Sequence, residues 1–196
     1  EPASVFSKER VRQSVSYLAE ELKGRGPGSQ ELENAGRYIE RELRAAGLSP
    51  FAGNSYFQEF TAEPGGKKAV LKNLLGKIEG LKKKDEYVIL CAHYDHLAAK
   101  EGLIFPGADD NASGAALLLE LARYYAKNPL DRTLIIAAFD GEEEGRLGSK
   151  YFAGGLKPEE LAKINAGLNF DTVGRLDAGK VFILGSGSSD KWVHIF

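Results

Sequence analysis

The sequence predicts an α/β fold in which helices cover both faces of a central sheet, giving three layers. Three apolar runs, at residues 87–92, 133–139 and 166–170, are too short for helices and too continuous for half-exposed strands. Helical patterns separate these runs along the chain. Because a strand that returns after a helical crossover lies parallel to the first, this order predicts a sheet with parallel strands.

Two amphipathic helices are predicted before the sheet. Within residues 7–22, apolar side chains recur every three or four positions after a polar start at Ser7. The glycine-rich stretch 24–28 interrupts this pattern. A second helix is predicted over residues 30–46, and Gly47 is suited to end it because glycine adopts the left-handed backbone without strain.

The remaining elements are predicted from the same periodicities. Edge strands are expected near residues 57–61 and 70–78. A largely buried helix over residues 112–127 separates the first two apolar runs, and helical stretches at 147–152 and 158–164 separate the second run from the third.

Size and charge restrict the possible functions. The 196 residues are expected to form one domain, residues 1–196, and no apolar run approaches the roughly 20 residues that a membrane span needs. A net charge of -2 gives no basic surface for nucleic acid, so no nucleic-acid partner is expected. The lone Cys91 excludes an internal disulfide and a cysteine-based zinc cage.

Polar residues follow each apolar run, at the strand ends where parallel sheets bind their ligands. The four clusters are, in chain order, His93-Tyr94-Asp95-His96, the loop 107–114, Asp140-Gly141-Glu142-Glu143-Glu144 and Asn169-Phe170-Asp171. Since these strand ends lie along one edge of the sheet, the clusters are expected to converge.

A single carboxylate beside a strand end is as readily a helix cap as a metal ligand, and this holds for Asp110 and for residues 142–144. His93 favours metal binding over helix capping, because it follows five apolar strand residues and has three carboxylate clusters beside it. Asp95 lies two positions on, on the same side of an extended chain, where it could orient a metal-bound imidazole. His96, in a loop beside the site, could line the pocket.

One imidazole with several carboxylates and no cysteine set suits zinc or a related divalent ion. Two such ions would share a bridging carboxylate, and a neighbouring unligated carboxylate would take the proton from a bridging water. Of Glu142 and Glu143, one would therefore bind metal and the other would be the base.

Four motifs, in this order, resemble those of the co-catalytic zinc aminopeptidase family, which includes secreted bacterial leucine-type aminopeptidases, glutamate carboxypeptidases and, as relatives, glutaminyl cyclases. The motifs are His93-x-Asp95, the loop 107–114, Glu142-Glu143-x-Gly145-x-x-Gly148-Ser149 and Asn169-Phe170-Asp171. They lie within residues 88–175, about half of the chain. The resemblance implies a zinc-exopeptidase-like fold, a three-layer α/β/α sandwich with a mixed, largely parallel central sheet.

The resemblance also implies a role for each matching residue. Asp110 would bridge two Zn²⁺ ions, His93 and Asp171 would complete one site, and Glu143 would bind the other ion. Glu142 would be the general base for a metal-bridging water, and the supporting partner of His93 would be Asp95. The peptide between Asp110 and the following asparagine would be cis.

One ligand of the family is missing from its usual place. The second ion takes a histidine near the carboxyl terminus of the family's domain, and His194 comes too early for that role. The chain is therefore expected to be a single catalytic domain that lacks its carboxyl-terminal part. We expect two Zn²⁺ ions in the complete domain and one or none in this chain, with the site of His93, Asp110 and Asp171 binding more strongly than the site of Glu143.

The function expected from these observations is a zinc-dependent exopeptidase of the aminopeptidase type, acting on a peptide substrate. A glutaminyl-cyclase-like acyl transferase and a noncatalytic binding module on the same fold are the alternatives. Oligomeric state is left open. The chain opens at Glu1-Pro2-Ala3-Ser4 without an initiator methionine, which together with the resemblance favours a secreted or periplasmic bacterial protein.

Overall fold

The computed structural model describes residues 6–176, 179–180 and 182–194, so residues 1–4, which bear on the expected location, lie outside it. The helices are α1 Lys8–Ser16, α2 Gln30–Ala45, α3 Gly114–Lys127, α4 Leu147–Gly155 and α5 Pro158–Leu161. The strands are β1 Ser49–Pro50, β2 Phe57–Ala62, β3 Ala69–Ile78, β4 Lys83–His93, β5 Arg132–Phe139 and β6 Ile164–Asn169. Wider π-helical turns span Tyr17–Glu21 and Ala108–Ser113, and 3-10 turns span Pro64–Gly66, Ser186–Ser188 and Asp190–His194.

Both predicted amino-terminal helices are confirmed, and a capping serine precedes each one. The Ser7 hydroxyl accepts a hydrogen bond from Arg10 N, and Ser29 Oγ accepts one from Leu32 N. These bonds satisfy backbone amides that have no partner within the helix. The first helix widens after α1 into its π-helical turn and so covers almost all of the predicted range.

The sheet is mixed, with strand order β1-β3-β5-β4-β6 and β2 paired to β3. Strand β3 runs antiparallel to β1, β2 and β5, whereas β4 is parallel to both β5 and β6. The expectation that β3 is an edge strand was therefore wrong. Strand β5 pairs along one side of β3, and β1 and β2 share the other.

Helices pack on both faces of the sheet, which confirms the three-layer sandwich. On one face, α1 with its π-helical turn, α2 and α3 bury side chains against the sheet. The residues there include Leu18, Ile39, Leu118, Leu134 and Ile136. On the other face, Phe152 of α4 packs with Ile135, Phe139 and their neighbours.

The run at 166–170 forms a half-exposed strand, so the expectation of a fully buried one was wrong. In β6, intermediate and exposed residues alternate from Ile164 to Asn169. Within the described ranges β6 pairs only with β4 and forms the end of the sheet. The helix expected over residues 158–164 is also shorter, because the chain leaves α5 after Leu161 to enter this strand. None of the helices that the structure describes is long and apolar enough to cross a membrane.

Candidate metal centre

The predicted polar clusters meet where the parallel strands β4, β5 and β6 end. His93 is the last residue of β4, opposite Phe139, the last residue of β5. On the other side, Cys91 of β4 lies opposite Asn169 of β6. Because the three strands run in the same direction, the loops that follow them leave the sheet at the same edge.

The His93 ring is buried at this edge, at 2% exposure, and neither ring nitrogen makes a hydrogen bond. Its Nε2 lies 3.1 Å from Asp110 Oδ1 and 3.5 Å from Asp171 Oδ1. Its Nδ1 lies 3.5 Å from Asp95 Oδ1, a contact between opposite charges that is too long for a good hydrogen bond. Burial lowers the pKa of His93, but Asp95, Asp171 and Glu142 more than offset this and raise it to about 9.

Asp110 lies in the π-helical turn between β4 and α3, where Asp110 and Asn111 leave helical geometry. The peptide bond between them is cis, as the resemblance implies. Asn111 ties this turn to the loop after β6: its Nδ2 donates to the Phe170 carbonyl, and its Oδ1 accepts from Thr172 N. These two bonds hold the backbone on either side of Asp171.

A second pair of side chains holds the same loop. The Ser113 hydroxyl accepts a hydrogen bond from Val173 N, and Asp109 Oδ1 accepts one from Gly174 N. Ser113 also donates to the Asp109 carbonyl, which links the two bonds. The turn before α3 therefore carries Asp110 and also positions the loop that carries Asp171.

Asp95 fixes the loop after β5 more directly than it supports His93. The residue is fully buried, and its Oδ1 and Oδ2 accept hydrogen bonds from the backbone amides of Glu142 and Glu143, at 3.1 and 3.2 Å. Asp95 thus sets the position of both glutamates while it lies near His93. The sequence analysis predicted the contact between Asp95 and His93, but not the hydrogen bonds to the two glutamates.

Both glutamates have a raised pKa. For Glu142, burial is the main cause, and the charges of Asp171, Asp95 and Glu143 add to it. For Glu143, burial again comes first, followed by the charge of Asp110. Carboxylates crowded in a partly buried site repel one another, and a bound cation relieves that repulsion.

Arg25, which the sequence analysis did not single out, is fully buried next to this site. Its guanidinium donates to the carbonyls of Tyr94, Leu18, Pro106 and Gly107. Burial lowers the pKa of Arg25 to about 10, against the opposing effect of Asp95 and Asp110. Arg25 therefore joins the end of β4 to the loop before Asp110, and its flanking glycines, Gly24 and Gly26, were the only signal of a special backbone position.

Among the residues that the structure describes, two groups of side chains are arranged so that they could hold a metal ion, and both include Asp110. One group is His93, Asp110 and Asp171, and the other is His96, Asp110 and Glu143. In each group the ligand atoms lie within 4.8 Å of one another. The first contains all three ligands that the resemblance assigns to one ion, whereas the second contains His96, which sequence reasoning had placed only along the pocket.

The first group fits zinc on two observations. The buried His93 nitrogens have no hydrogen-bond partner in the protein. The distances from His93 Nε2 to Asp110 and Asp171, 3.1 and 3.5 Å, bracket the separation of about 3.4 Å between ligands of a tetrahedral zinc ion with bonds near 2.1 Å. An imidazole with two carboxylates is also a donor set typical of zinc.

Comparison with known proteins identifies a family for this chain. A family model described as peptidase family M28 matches residues 73–195. Aminopeptidase YwaD of Bacillus subtilis is 36% identical over 105 residues, which are 53% of this chain and 22% of that protein. The chain thus spans less than a quarter of the length of this relative.

Solved structures show the same fold over most of the chain. A Zn-dependent exopeptidase from Parabacteroides distasonis is similar with a TM-score of 0.71 and 23% identity, covering 86% of this chain and 62% of that one. Glutaminyl cyclase from Porphyromonas gingivalis is similar with a TM-score of 0.68 and 28% identity, covering 88% and 61%.

Proposed function

Because this chain belongs to peptidase family M28, we propose that it carries the zinc site of an exopeptidase of the aminopeptidase type, which removes N-terminal residues from peptides. The observation that carries the proposal is the meeting of His93, Asp110 and Asp171 at the end of parallel strands. Glu142 lies beside them, held by the Asp95 hydrogen bond to its backbone amide.

Zinc would be held by His93, Asp110 and Asp171, with Glu143 as the ligand of a second ion. When bound, zinc acts as a Lewis acid on the scissile carbonyl and makes water more acidic. The choice of zinc agrees with the name of the Zn-dependent exopeptidase that shares the fold.

The chain itself supplies the proton transfer. Glu142 and Asp95 are carboxylates at the site that neither potential metal group contains, and both oxygens of Asp95 already accept hydrogen bonds from backbone amides, which leaves Glu142 as the base. Burial and neighbouring carboxylates raise its pKa, so it is a stronger base than a free glutamate. Its carboxylate accepts the proton of the attacking water and then delivers it to the nitrogen of the leaving amine. Asp95 keeps Glu142 in place through the backbone.

Acyl transfer of the glutaminyl-cyclase type is the second candidate, favoured by the similarity to the Porphyromonas gingivalis enzyme. Two potential metal groups favour the peptidase, since the cyclases of this fold are expected to use one zinc. Release of ammonia from peptides with N-terminal glutamine, without hydrolysis of aminoacyl anilides, would establish the cyclase instead.

A secreted or periplasmic location is part of the proposal. Fractionation of the source cells, with immunodetection of the chain in each fraction, tests it. Recovery from the medium or periplasm supports the proposal, and recovery from the cytosol alone contradicts it.

The base is tested by Glu142→Gln, with Glu144→Gln as the matched control, because Glu144 is the next-but-one residue and is exposed. In the natural protein that carries this sequence, Glu142→Gln should lower kcat on aminoacyl anilides by at least about a hundredfold. Zinc content should not change. Near-normal turnover by Glu142→Gln would remove this residue from the role of base.

A further inference from the structure

A cavity of about 180 Å³ lies between the start of α2 and the strands β2 and β3. The described residues that line it include none of those assigned to the metal centre or to the base. Asp140, which follows β5, and Tyr94, which follows β4, form part of its wall. Val70 of β3 also lines the cavity and is exposed, so the space is open to solvent.

One oxygen of the Asp140 carboxylate lacks a hydrogen-bond partner. The residue is 2% exposed, and its Oδ2 accepts a hydrogen bond of 2.8 Å from Lys72 N. Its Oδ1 has no partner among the residues that the structure describes. A buried carboxylate oxygen without a donor costs stability, because it has lost the water that it binds in the unfolded chain. The cavity that Asp140 lines is the space from which a donor can reach this oxygen.

The charges around the cavity leave Asp140 without a cation. Lys72 and Glu33 also line the cavity, and the Lys72 ammonium is paired with Glu33 Oε2 at 2.7 Å. Glu59 lies 3.7 Å from the same ammonium. Arg37 is a further cation on α2, and its guanidinium is paired with Glu33 as well. The ionised Asp140 is therefore the unbalanced charge of the wall, and it favours a cationic ligand over a neutral or anionic one.

The wall of the cavity does not suit a metal ion. A Ca²⁺ ion takes about six to eight oxygen ligands. Neither of the two groups of described side chains that could hold a metal ion includes a residue of this wall. The Tyr94 hydroxyl already donates its hydrogen to the Lys72 carbonyl. An ammonium group, which brings its own hydrogen atoms, needs fewer oxygens than a metal ion and fits this wall better.

Apolar side chains form another part of the wall, and the space suits a small organic molecule. Leu32 of α2, Phe57 of β2 and Val70 line the cavity. Gly36 of α2 keeps this space open, because a Cβ atom there would lie 3.4 Å from Tyr94 Oη and 3.5 Å from Phe57 Cε1. An engineered cavity of about 150 Å³ in another protein binds benzene, so a space of about 180 Å³ holds a molecule of roughly six non-hydrogen atoms. This size favours a free amine over a peptide.

We propose that this cavity is a second binding site, which takes a small primary amine in its ammonium form. The ammonium group donates a hydrogen bond to Asp140 Oδ1 and balances the charge of this carboxylate. The short carbon chain of the amine lies against Leu32 and Phe57. The site goes beyond the proposed function and does not depend on it, because the metal centre shares none of its wall.

Titration of the ¹⁵N-labelled natural protein with propylammonium chloride, followed by NMR, tests the proposal. The reporter is the Lys72 amide, which donates to Asp140 Oδ2. About pH 8 is suitable, since burial raises the pKa of Asp140 only to about 7 and its carboxylate is then ionised. The comparison ligands are 1-propanol, which has the same size without charge, tetramethylammonium, which has no N–H group, and potassium chloride. Asp140→Asn keeps an oxygen for Lys72, and Asp85→Asn, at a side chain 88% exposed in β4, is the matched control.

Propylammonium should shift the Lys72 amide signal in a saturable way, with a Kd of roughly 1 to 10 mM, because so small a molecule makes few contacts. The three comparison ligands should bind at least about tenfold more weakly, and so should propylammonium to Asp140→Asn, whereas Asp85→Asn should keep the original Kd. Equal binding of 1-propanol or of potassium would show that the site does not select an ammonium group. A shift that does not saturate, or an unchanged Kd in Asp140→Asn, would also overturn the proposal, and the cavity would then hold water alone.

Discussion

Substitution of Asp140, the residue that follows β5, should change how stability depends on pH. Asp140 is buried, its Oδ2 accepts a hydrogen bond from Lys72 N, and its Oδ1 has no partner in the protein. Burial is the main cause that raises the pKa of Asp140 from 3.8 to about 7. In Asp140→Asn the side chain keeps an oxygen for Lys72 and no longer titrates.

The direction in which stability changes with pH follows from the number of protons bound in the folded and unfolded states. Between pH 3.8 and about 7, Asp140 is ionised in the unfolded chain and protonated in the folded one, so the folded state binds the extra proton. Stability is therefore lost as pH rises through this window and levels off above it. The full loss is about 4 kcal/mol, from about three pKa units at 1.36 kcal/mol each, and about 2.5 kcal/mol of it falls between about pH 5 and about pH 8.

This figure is an upper bound, because Asp140 borders a cavity of about 180 Å³ in which a water could bind to it. The assay is urea unfolding of both proteins at about pH 5 and about pH 8, and the quantity compared is the difference between the two proteins at each pH. Asp140→Asn should gain at least about 1 kcal/mol relative to the original chain at the higher pH. An equal difference at both values, or a loss at the higher pH, would refute the reasoning.

Two further pairs of substitutions test the packing and the hydrogen bonds that support the site. Gly148→Ala should lower the melting temperature by several degrees, because its methyl group would overlap Asn73 Oδ1 and the Asp140 carbonyl. Gly154→Ala is the control in the same helix. Its methyl group meets no atom within 4 Å, so a thermal melt should show no change or a gain of about 0.5 to 1 kcal/mol. Equal melting temperatures for the two variants would contradict the packing. Arg25→Met should cost at least about 3 kcal/mol in chemical denaturation, because it removes a buried hydrogen-bond donor from four carbonyls, while Arg175→Met, at a side chain 85% exposed, should stay within about 0.5 kcal/mol. A loss at Arg25 no larger than that at Arg175 would count against its structural role.

Much of the fold could be predicted because its signals are local. Serine caps, helical periodicity and continuous apolar runs lie within single elements, and both amino-terminal helices and strands β4 and β5 were predicted within a few residues. Strand neighbours are not local. The edge assignment of β3 failed since its partners β1, β2 and β5 lie elsewhere in the sequence, and β6 was expected to be buried although it forms the end of the described sheet.

Local signals also predicted part of the candidate site, while the rest depends on contacts between distant segments. His93, Asp110 and Asp171 were predicted to converge, because each follows or precedes an element of the parallel sheet, and the structure brings them together. Arg25 and Asp140 were missed as buried charged residues, since charged side chains are mostly exposed and only the folded chain shows their partners. The contact of His96 with Glu143 joins two loops 47 residues apart, and composition alone could not place it.

The central claim is that Asp110 is the carboxylate common to both metal groups, and zinc content tests it most directly. The chain, Asp110→Asn and the exposed control Glu144→Gln would be loaded with zinc, dialysed and measured by atomic emission. Asp110→Asn should retain at least about tenfold less zinc than the original chain, because it weakens both sites, while Glu144→Gln should retain the original amount. Full zinc content in Asp110→Asn would contradict the account.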